Sequence, residues 1–244
     1  MSRDNLPAAP APPMGEDGAV TADSLGLLHQ EVVSCRACPR LVAWREQVGQ
    51  DKRAAYRDEP YWARPVPGFG DPRARLVVVG LAPAAHGANR TGRMFTGDRS
   101  GDFLYAALHR AGYANQASSV SADDGLALSE AWITAPVRCA PPANKPTVDE
   151  RDRCRPFLER ELAMLPQASV LLCLGGFAYQ GLTAHYGVRP RPAFRHGVEV
   201  ALPDGLTLLA SYHVSQQNTF TGKLTPAMLD AVLARARELA ATGP

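Results

Sequence analysis

Residues 76–98 read Leu-Val-Val-Val-Gly-Leu-Ala-Pro-Ala-Ala-His-Gly-Ala-Asn-Arg-Thr-Gly-Arg-Met-Phe-Thr-Gly-Asp. The first four residues form an apolar, β-branched run, which is typical of a central strand in a sheet covered on both faces. A long polar loop follows directly. In open α/β sheets, ligands bind beyond the carboxyl ends of the strands. The loop that follows Val79 is therefore the first place to look for a functional site.

Further apolar runs along the chain alternate with helical patterns. Strands are predicted at 132–135 and 169–174, and a hairpin is predicted from 198–202 and 206–211, turning at Pro203-Asp-Gly205. Helices are predicted between them, including one opened by the capping pattern Thr147-Val-Asp-Glu150. Alternating strands and helices predict an α/β fold, here a three-layer α/β/α sandwich around a mostly parallel sheet.

Length and composition indicate one globular domain. The chain has 244 residues, a formal net charge of +2 and 45% hydrophobic residues, values that neither require nor exclude nucleic acid. Residues 1–20 are rich in Pro, Ala and Gly and are predicted to be a disordered tail, which leaves 21–244 as a single domain. No apolar run is long enough to span a membrane and no signal-peptide pattern is present, so we expect a cytoplasmic protein.

Four cysteines form a second notable group. Cys35 and Cys38 make a CxxC pair, whereas Cys139 and Cys154 flank a proline-rich loop. Two pairs from distant parts of the chain can converge on one metal site, and both zinc and a [4Fe–4S] cluster accept four thiolates. Their spacing does not separate these two possibilities, and free buried cysteines are the alternative. Cys173 lies inside the apolar run Leu-Leu-Cys-Leu and is predicted to be a small core residue.

Three polar loops follow predicted strands, at 80–98, 136–146 and 212–224. In a parallel sheet these loops gather at one edge, which would bring Phe95, Asp98, Asn144 and His213 into one cleft. Basic residues in or beside these loops are candidates for phosphate contacts: Arg90, Arg93, Arg99, Arg138 and Lys145. From the residues alone, a nucleotide- or phosphate-binding α/β protein with a structural metal is a possible function, although the G-x-G-x-x-G and Walker patterns are absent.

Several motifs together resemble the uracil-DNA glycosylase superfamily. They are Gly80-Leu-Ala-Pro-Ala84, Asn89-Arg-Thr-Gly-Arg-Met-Phe-Thr-Gly-Asp98, His213-Val-Ser-Gln-Gln-Asn-Thr-Phe-Thr-Gly222 and the four cysteines. The branch that they resemble most is the iron–sulfur family 5, or type b, and the resemblance covers roughly residues 30–240. It implies a cytoplasmic, bacterial DNA repair enzyme that acts at the nucleoid. Such an enzyme carries a [4Fe–4S] cluster on Cys35, Cys38, Cys139 and Cys154, flips uracil out of DNA and hydrolyses its N-glycosidic bond.

The resemblance also implies roles for individual residues. Phe95 would stack on the flipped base, and His213 would donate a hydrogen bond to the oxygen of the leaving base. Other branches carry an acid or amide where this chain has Leu81 or Ala82, so Ala82 would only line the pocket. Asp98 is the candidate replacement, either positioning water or stabilising the cationic sugar; its alternative role is a helix N-cap, and both roles can hold together.

Asn144 is the candidate for recognising the base edge or positioning water, because an amide both donates and accepts hydrogen bonds; a plain turn residue is the alternative. Other branches place an asparagine nearer the second strand, where this chain has Ala135 and Pro136. This departure predicts looser base specificity that extends to other deaminated or damaged bases.

The last loop resembles the segment that enters the duplex to hold the base out, which makes its polar residues candidates for DNA contacts: Gln216, Gln217 and Asn218. A lyase-type glycosylase needs an amine nucleophile. The chain has only three lysines, Lys52, Lys145 and Lys223, so we expect a monofunctional enzyme. We also expect the protein to be a monomer. A DNA-lesion binder without catalysis is the alternative, since the first-loop acid is absent.

Overall fold

A computed structural model describes residues 23–242. The predicted N-terminal tail, residues 1–20, lies outside the described residues. Within the described range no helix is both long enough and apolar enough to cross a membrane.

One six-stranded sheet forms the centre of the described structure. Its strands are β1 (Phe69–Gly70), β2 (Leu76–Val79), β3 (Ala131–Thr134), β4 (Val170–Leu174), β5 (Glu199–Ala201) and β6 (Thr207–Ser211). The strand order is β1-β3-β2-β4-β6-β5. The four inner strands are parallel to one another, whereas β1 and β5 pair antiparallel at the two edges. This confirms the predicted mostly parallel sheet and the predicted hairpin of β5 and β6.

Helices cover both faces of the sheet. They are α1 (Leu25–Ser34), α2 (Pro39–Asp51), α3 (Ala88–Thr91), α4 (Arg99–Arg110), α5 (Val148–Ala163), α6 (Gly176–His185), α7 (Gln216–Phe220) and α8 (Pro226–Thr242). Alternate residues of β2 point to opposite faces: Val78 packs in the core with α4 and α8, and Val77 packs in the core with α5 and α6. The three-layer sandwich is therefore confirmed.

The structure differs from the sequence prediction in local details. The short edge strand β1 was not predicted, because two residues give no periodic pattern. The segment 113–130, between α4 and β3, places Tyr113 and Leu126 in the core and buries Ser119 fully. One local detail agrees with the sequence: α4 is capped by Asp98, whose side chain accepts hydrogen bonds from the backbone N–H groups of Ser100 and Gly101.

Candidate active site

A crevice at the carboxyl ends of β2 and β4 is the expected ligand position in this topology. The chain leaves β2 toward β3 on one side and leaves β4 toward β6 on the other side. The connections thus diverge between two neighbouring strands, which is the kind of switch point where open α/β sheets bind ligands. The loops after β2, β3 and β6 all start at this edge, as the sequence predicted, and so does the turn after β4.

Phe95 and His213 meet in this crevice although they follow different strands. Their ring centroids are 6.3 Å apart, with 37° between the ring planes. The Phe95 ring also covers Gly80: a Cβ atom there would lie 2.8 Å from Cζ of Phe95. Phe95 has φ +53, a conformation that is rare for an aromatic residue and that concentrates at functional sites.

His213 sits against the turn that follows β4. Gly175 has φ +93, and a Cβ atom there would lie 3.2 Å from Cβ of His213, so both backbone conformation and space favour glycine. Burial lowers the pKa of His213 to about 4. The imidazole is therefore neutral at physiological pH, and it offers one N–H donor without carrying a charge.

Asp98 combines a structural contact with a free oxygen. Its Oδ1 atom accepts the N–H groups of Ser100 and Gly101 at 2.9 and 3.0 Å, which is the predicted N-cap. No described residue donates a hydrogen bond to Oδ2. Burial raises the pKa of Asp98, although the two backbone hydrogen bonds act in the opposite direction. One carboxylate oxygen thus anchors the side chain and the other remains available.

Two other predicted site residues lie apart from this group. Asn144 is exposed at the end of a short turn with φ +54, and its side chain makes no contact with Phe95, Asp98 or His213 among the contacts of the described residues. Ala82 is half-buried and packs against the buried cluster of Leu41, Val137 and Cys139, on the cysteine side of the first loop. The structure thus brings Phe95 and His213 together, holds Asp98 at the start of α4 three residues after Phe95, and leaves Asn144 exposed on the loop after β3.

In the loop predicted to enter DNA, residues 212–224, one polar side chain makes an internal hydrogen bond and others are exposed. Asn218 donates its side-chain N–H to the carbonyl of His213 at 2.8 Å, so its amide fixes the His213 backbone. Gln216 and Gln217 are exposed on α7. Phe220, at the end of the same helix, is 73% exposed, an unusual position for a large apolar side chain.

Arg90 and Arg93 have internal roles that differ from the predicted phosphate contacts. Arg93 is buried and pairs with Asp124 at 2.7 Å, and Arg90 is buried and pairs with Glu59. Arg138 is likewise buried and pairs with Glu161. The sequence did not reveal these carboxylate partners, because they lie more than twenty residues away along the chain. Arg99 and Lys145 are exposed.

Cys35, Cys38, Cys139 and Cys154 line one cavity, which contains about 350 Å³ of space free of protein atoms, part of it open to solvent. The rest of its wall is largely apolar, including Leu41, Val42 and Phe157. Within residues 23–242, no three side chains of the types that ligate metals converge on a point that could hold a single ion. Four thiols around one cavity are a donor set that either a [4Fe–4S] cluster or a zinc ion accepts.

Two buried guanidinium groups beside the four thiols indicate that the cavity suits an anionic group. Arg45 and Arg138 both line the cysteine cavity, and the Nε atom of each is buried without a hydrogen-bond partner among the described residues. Arg45 also donates from Nη1 to Sγ of Cys139 at 2.9 Å. A buried guanidinium N–H without a partner is unfavourable alone, and a donor at this position suits an anionic group bound by four thiolates. The sequence analysis missed Arg45, although its position four residues after Leu41, on the buried side of α2, was the available signal.

Comparison with known proteins shows the family of the chain. The family model described as the uracil DNA glycosylase superfamily matches residues 67–237. The chain belongs to this superfamily. Among the glycosylases of the superfamily, type-5 uracil-DNA glycosylase of Mycobacterium tuberculosis is 56% identical over 222 residues, covering 90% of this chain and 83% of that protein.

Two further type-5 uracil-DNA glycosylases are similar over most of their length. The protein of Thermus thermophilus is 56% identical over 212 residues, covering 86% of this chain and 96% of the relative. The type-5 protein of Pyrobaculum aerophilum is 48% identical over 206 residues, covering 84% of this chain and 88% of the relative. The predicted membership in the uracil-DNA glycosylase superfamily is thus confirmed.

Proposed function

We propose that this chain is a DNA N-glycosylase that excises uracil from DNA in base excision repair. The observation that carries the proposal is the meeting of Phe95 with a neutral His213 in the crevice at the carboxyl ends of β2 and β4. Asp98 caps α4 three residues after Phe95, in the same loop. Similarity to type-5 uracil-DNA glycosylases over most of the chain supports it.

In this proposal each residue has one role in hydrolysis. The Phe95 ring stacks on the flipped uracil, which a base needs once it has left the duplex. Bond cleavage places negative charge on the departing base and positive charge on the sugar. The neutral His213 donates its N–H to the base oxygen that becomes negative. Asp98, whose Oδ2 accepts no hydrogen bond from the described residues, supplies negative charge beside the sugar.

The abasic strand is left intact in this proposal. Two of the three lysine amines already make contacts within the protein, and Lys145 is exposed on the loop after β3. Lys52 donates from Nζ to the carbonyls of Arg57 and Glu59, and Lys223 lies over the ring of Tyr212. Asn144, on the loop after β3, contacts the base or its water only once substrate is bound. The monomeric state and activity on other deaminated bases stay predictions.

We also propose that Cys35, Cys38, Cys139 and Cys154 hold a [4Fe–4S] cluster. When bound, the cluster crosslinks the segment before α2 to the loop after β3 and to α5. Because Ala82 packs against this region, the cluster also supports the first active-site loop.

The decisive experiment is excision from a duplex that contains a single uracil, with alkali used to reveal abasic sites. Wild-type protein is expected to cut the strand only after alkali treatment. His213→Ala should lose about 100-fold or more of the rate, the usual effect of removing one donor to a developing anion. His29→Ala on the exposed face of α1 is the matched control and should keep the wild-type rate. Tight binding without abasic sites would favour a lesion binder instead, and cleavage before alkali would contradict the monofunctional assignment.

A further inference from the structure

The loop between α6 and β5 carries exposed positive charge that the proposed function has not used. Residues 188–197 read Val-Arg-Pro-Arg-Pro-Ala-Phe-Arg-His-Gly and are named here the arginine loop. Arg189, Arg191 and Arg195 are all exposed. Within the described residues these three guanidinium groups make no ion pair and no hydrogen bond. They contrast with Arg93 and Arg138, which are buried against carboxylates.

The arginine loop is held in place rather than free at the surface. Tyr179, on α6, donates its hydroxyl to the carbonyl of Pro192 at 2.8 Å. The Phe194 ring packs against Tyr179 at 5.6 Å and against Tyr212 at 6.2 Å between centroids. Pro190 and Pro192 further restrict the backbone. Charges on such a loop bind with less loss of conformational freedom than charges on a mobile tail.

The same contacts place the arginine loop beside the active site. Gly175 and Gly176 follow β4: a Cβ atom on Gly175 would lie 3.2 Å from His213, and one on Gly176 would lie 3.6 Å from Phe194. His196 accepts a hydrogen bond through Nδ1 from the backbone N–H of Tyr212, the residue before His213, at 3.3 Å. The residues on both sides of Arg195 are thus anchored next to the His213 loop.

The chemistry of the loop matches a phosphate backbone. A guanidinium group binds phosphate oxygens through two parallel N–H donors. The aromatic ring of the loop, Phe194, is packed inward, so the loop offers charge and no surface for stacking on a base. The nearby carboxylate of Glu199 is already paired with Arg235 and does not neutralise the loop.

We propose that the arginine loop binds the phosphodiester backbone of substrate DNA on the His213 side of the flipped nucleotide. This proposal rests on the proposed function, since it assigns a partner to the same cleft. Arg191 and Arg195 contact phosphates and hold the strand in register, and they take no part in bond cleavage. The loop thus takes the positioning role that the sequence analysis assigned to Arg90 and Arg93.

The test compares Arg191→Ala/Arg195→Ala with the control Arg73→Ala/Arg110→Ala. Arg73 precedes β2 and Arg110 ends α4, so the control removes two exposed arginines at the opposite edge of the sheet. The dissociation constant of a fluorescent duplex is measured over a range of NaCl concentrations, and the single-turnover excision rate is measured at saturating enzyme. Each phosphate contact contributes about 0.9 to the slope of log affinity against log salt.

The loop variant should lose about 1 to 2 from the magnitude of that slope, while its saturated excision rate stays at the wild-type value. Arg191→Lys/Arg195→Lys should restore most of the slope, because charge is kept. An unchanged slope in the alanine variant, or an equal loss in the control, would overturn the proposal. Absence of excision by wild-type protein would reject the proposed function instead, and the slope would still report on the loop.

Discussion

A Cβ atom on Gly87 would lie 2.7 Å from Cγ of Asp98, so the Asp98 side chain packs directly on the Gly87 backbone. The two residues belong to the same loop after β2, and this contact fixes the direction of a carboxylate that also caps α4. The placement of Asp98 therefore depends on a glycine eleven residues earlier, at a site without room for a methyl group.

Gly87→Ala is expected to displace Asp98 and to lower the excision rate at least about tenfold. A loss of about 1.4 kcal/mol of transition-state stabilisation already corresponds to that factor. It should also weaken the cap, which costs about 0.5–2 kcal/mol of stability. Gly26→Ala in α1, whose nearest atom is Ser24 Oγ at 3.8 Å, should change neither property. Full activity of Gly87→Ala in a steady-state assay would show that the position of Asp98 is not critical.

The decline of the excision rate at acidic pH should follow the protonation of Asp98. Burial raises the pKa of its carboxyl group above the ordinary value, so the group loses its charge as the pH falls through that raised pKa. Burial lowers the pKa of His213 to about 4, so His213 stays neutral above that pH. Single-turnover rates of wild-type protein should therefore decline at acidic pH, and the slower His213→Gln variant should show the same decline. A profile that loses its acid limb in His213→Gln would assign the titration to His213.

Arg93 should matter for stability rather than for DNA affinity. It is 5% exposed and donates from Nη2 to Asp124 at 2.7 Å and to Ser119 at 2.8 Å. Removing one partner of a buried pair leaves a charge unpaired, which typically costs about 3–5 kcal/mol. Arg93→Met and Asp124→Asn should both lower the free energy of unfolding strongly in urea denaturation, whereas Arg110→Met, at an exposed pair, should change it little. Strongly reduced DNA affinity in an Arg93→Met protein of normal stability would restore the phosphate-contact interpretation.

The contrast between Arg93 and His213 shows what could be predicted from the sequence. His213 follows an apolar strand, and parallel strands bring their carboxyl ends to one edge, so its position in the cleft was predictable from local pattern. The helix N-cap at Asp98 was also predictable, because its hydrogen-bond partners lie two and three residues later in the sequence. The partner of Arg93 is 31 residues away, and no periodic signal connects the two.

The same reasoning explains the other differences. The exposure of the arginine loop depends on where Phe194 packs, which only the tertiary structure shows. The sequence around Asn218 resembles a loop that contacts DNA. In the structure, however, the Asn218 amide donates a hydrogen bond to the carbonyl of His213. Strand ends are encoded locally, whereas the partner of a polar side chain is decided by the folded chain.

Phe95 should contribute to binding through its ring. Stacking of a base on an aromatic side chain is worth about 1–3 kcal/mol, which corresponds to a loss of about 5- to 150-fold. Phe95→Ala is expected to raise the KM for uracil-containing DNA or lower kcat within that range, while Phe95→Tyr keeps the ring and should stay near wild type. Equal activity of the alanine and tyrosine variants would indicate that Phe95 only packs over Gly80.

Cys154 and Cys173 provide a matched test of the cluster, because only Cys154 lines the cavity shared with Cys35, Cys38 and Cys139. Cys173 is fully buried in β4, among apolar neighbours of the other core. Cys154→Ala should lose most of the iron and the broad visible absorbance of the purified protein, and should melt at a lower temperature, because cluster binding then no longer favours the folded state. Cys173→Ala should keep its iron and colour with a smaller loss of stability. A colourless wild-type protein that contains one zinc per chain would instead establish zinc as the bound metal.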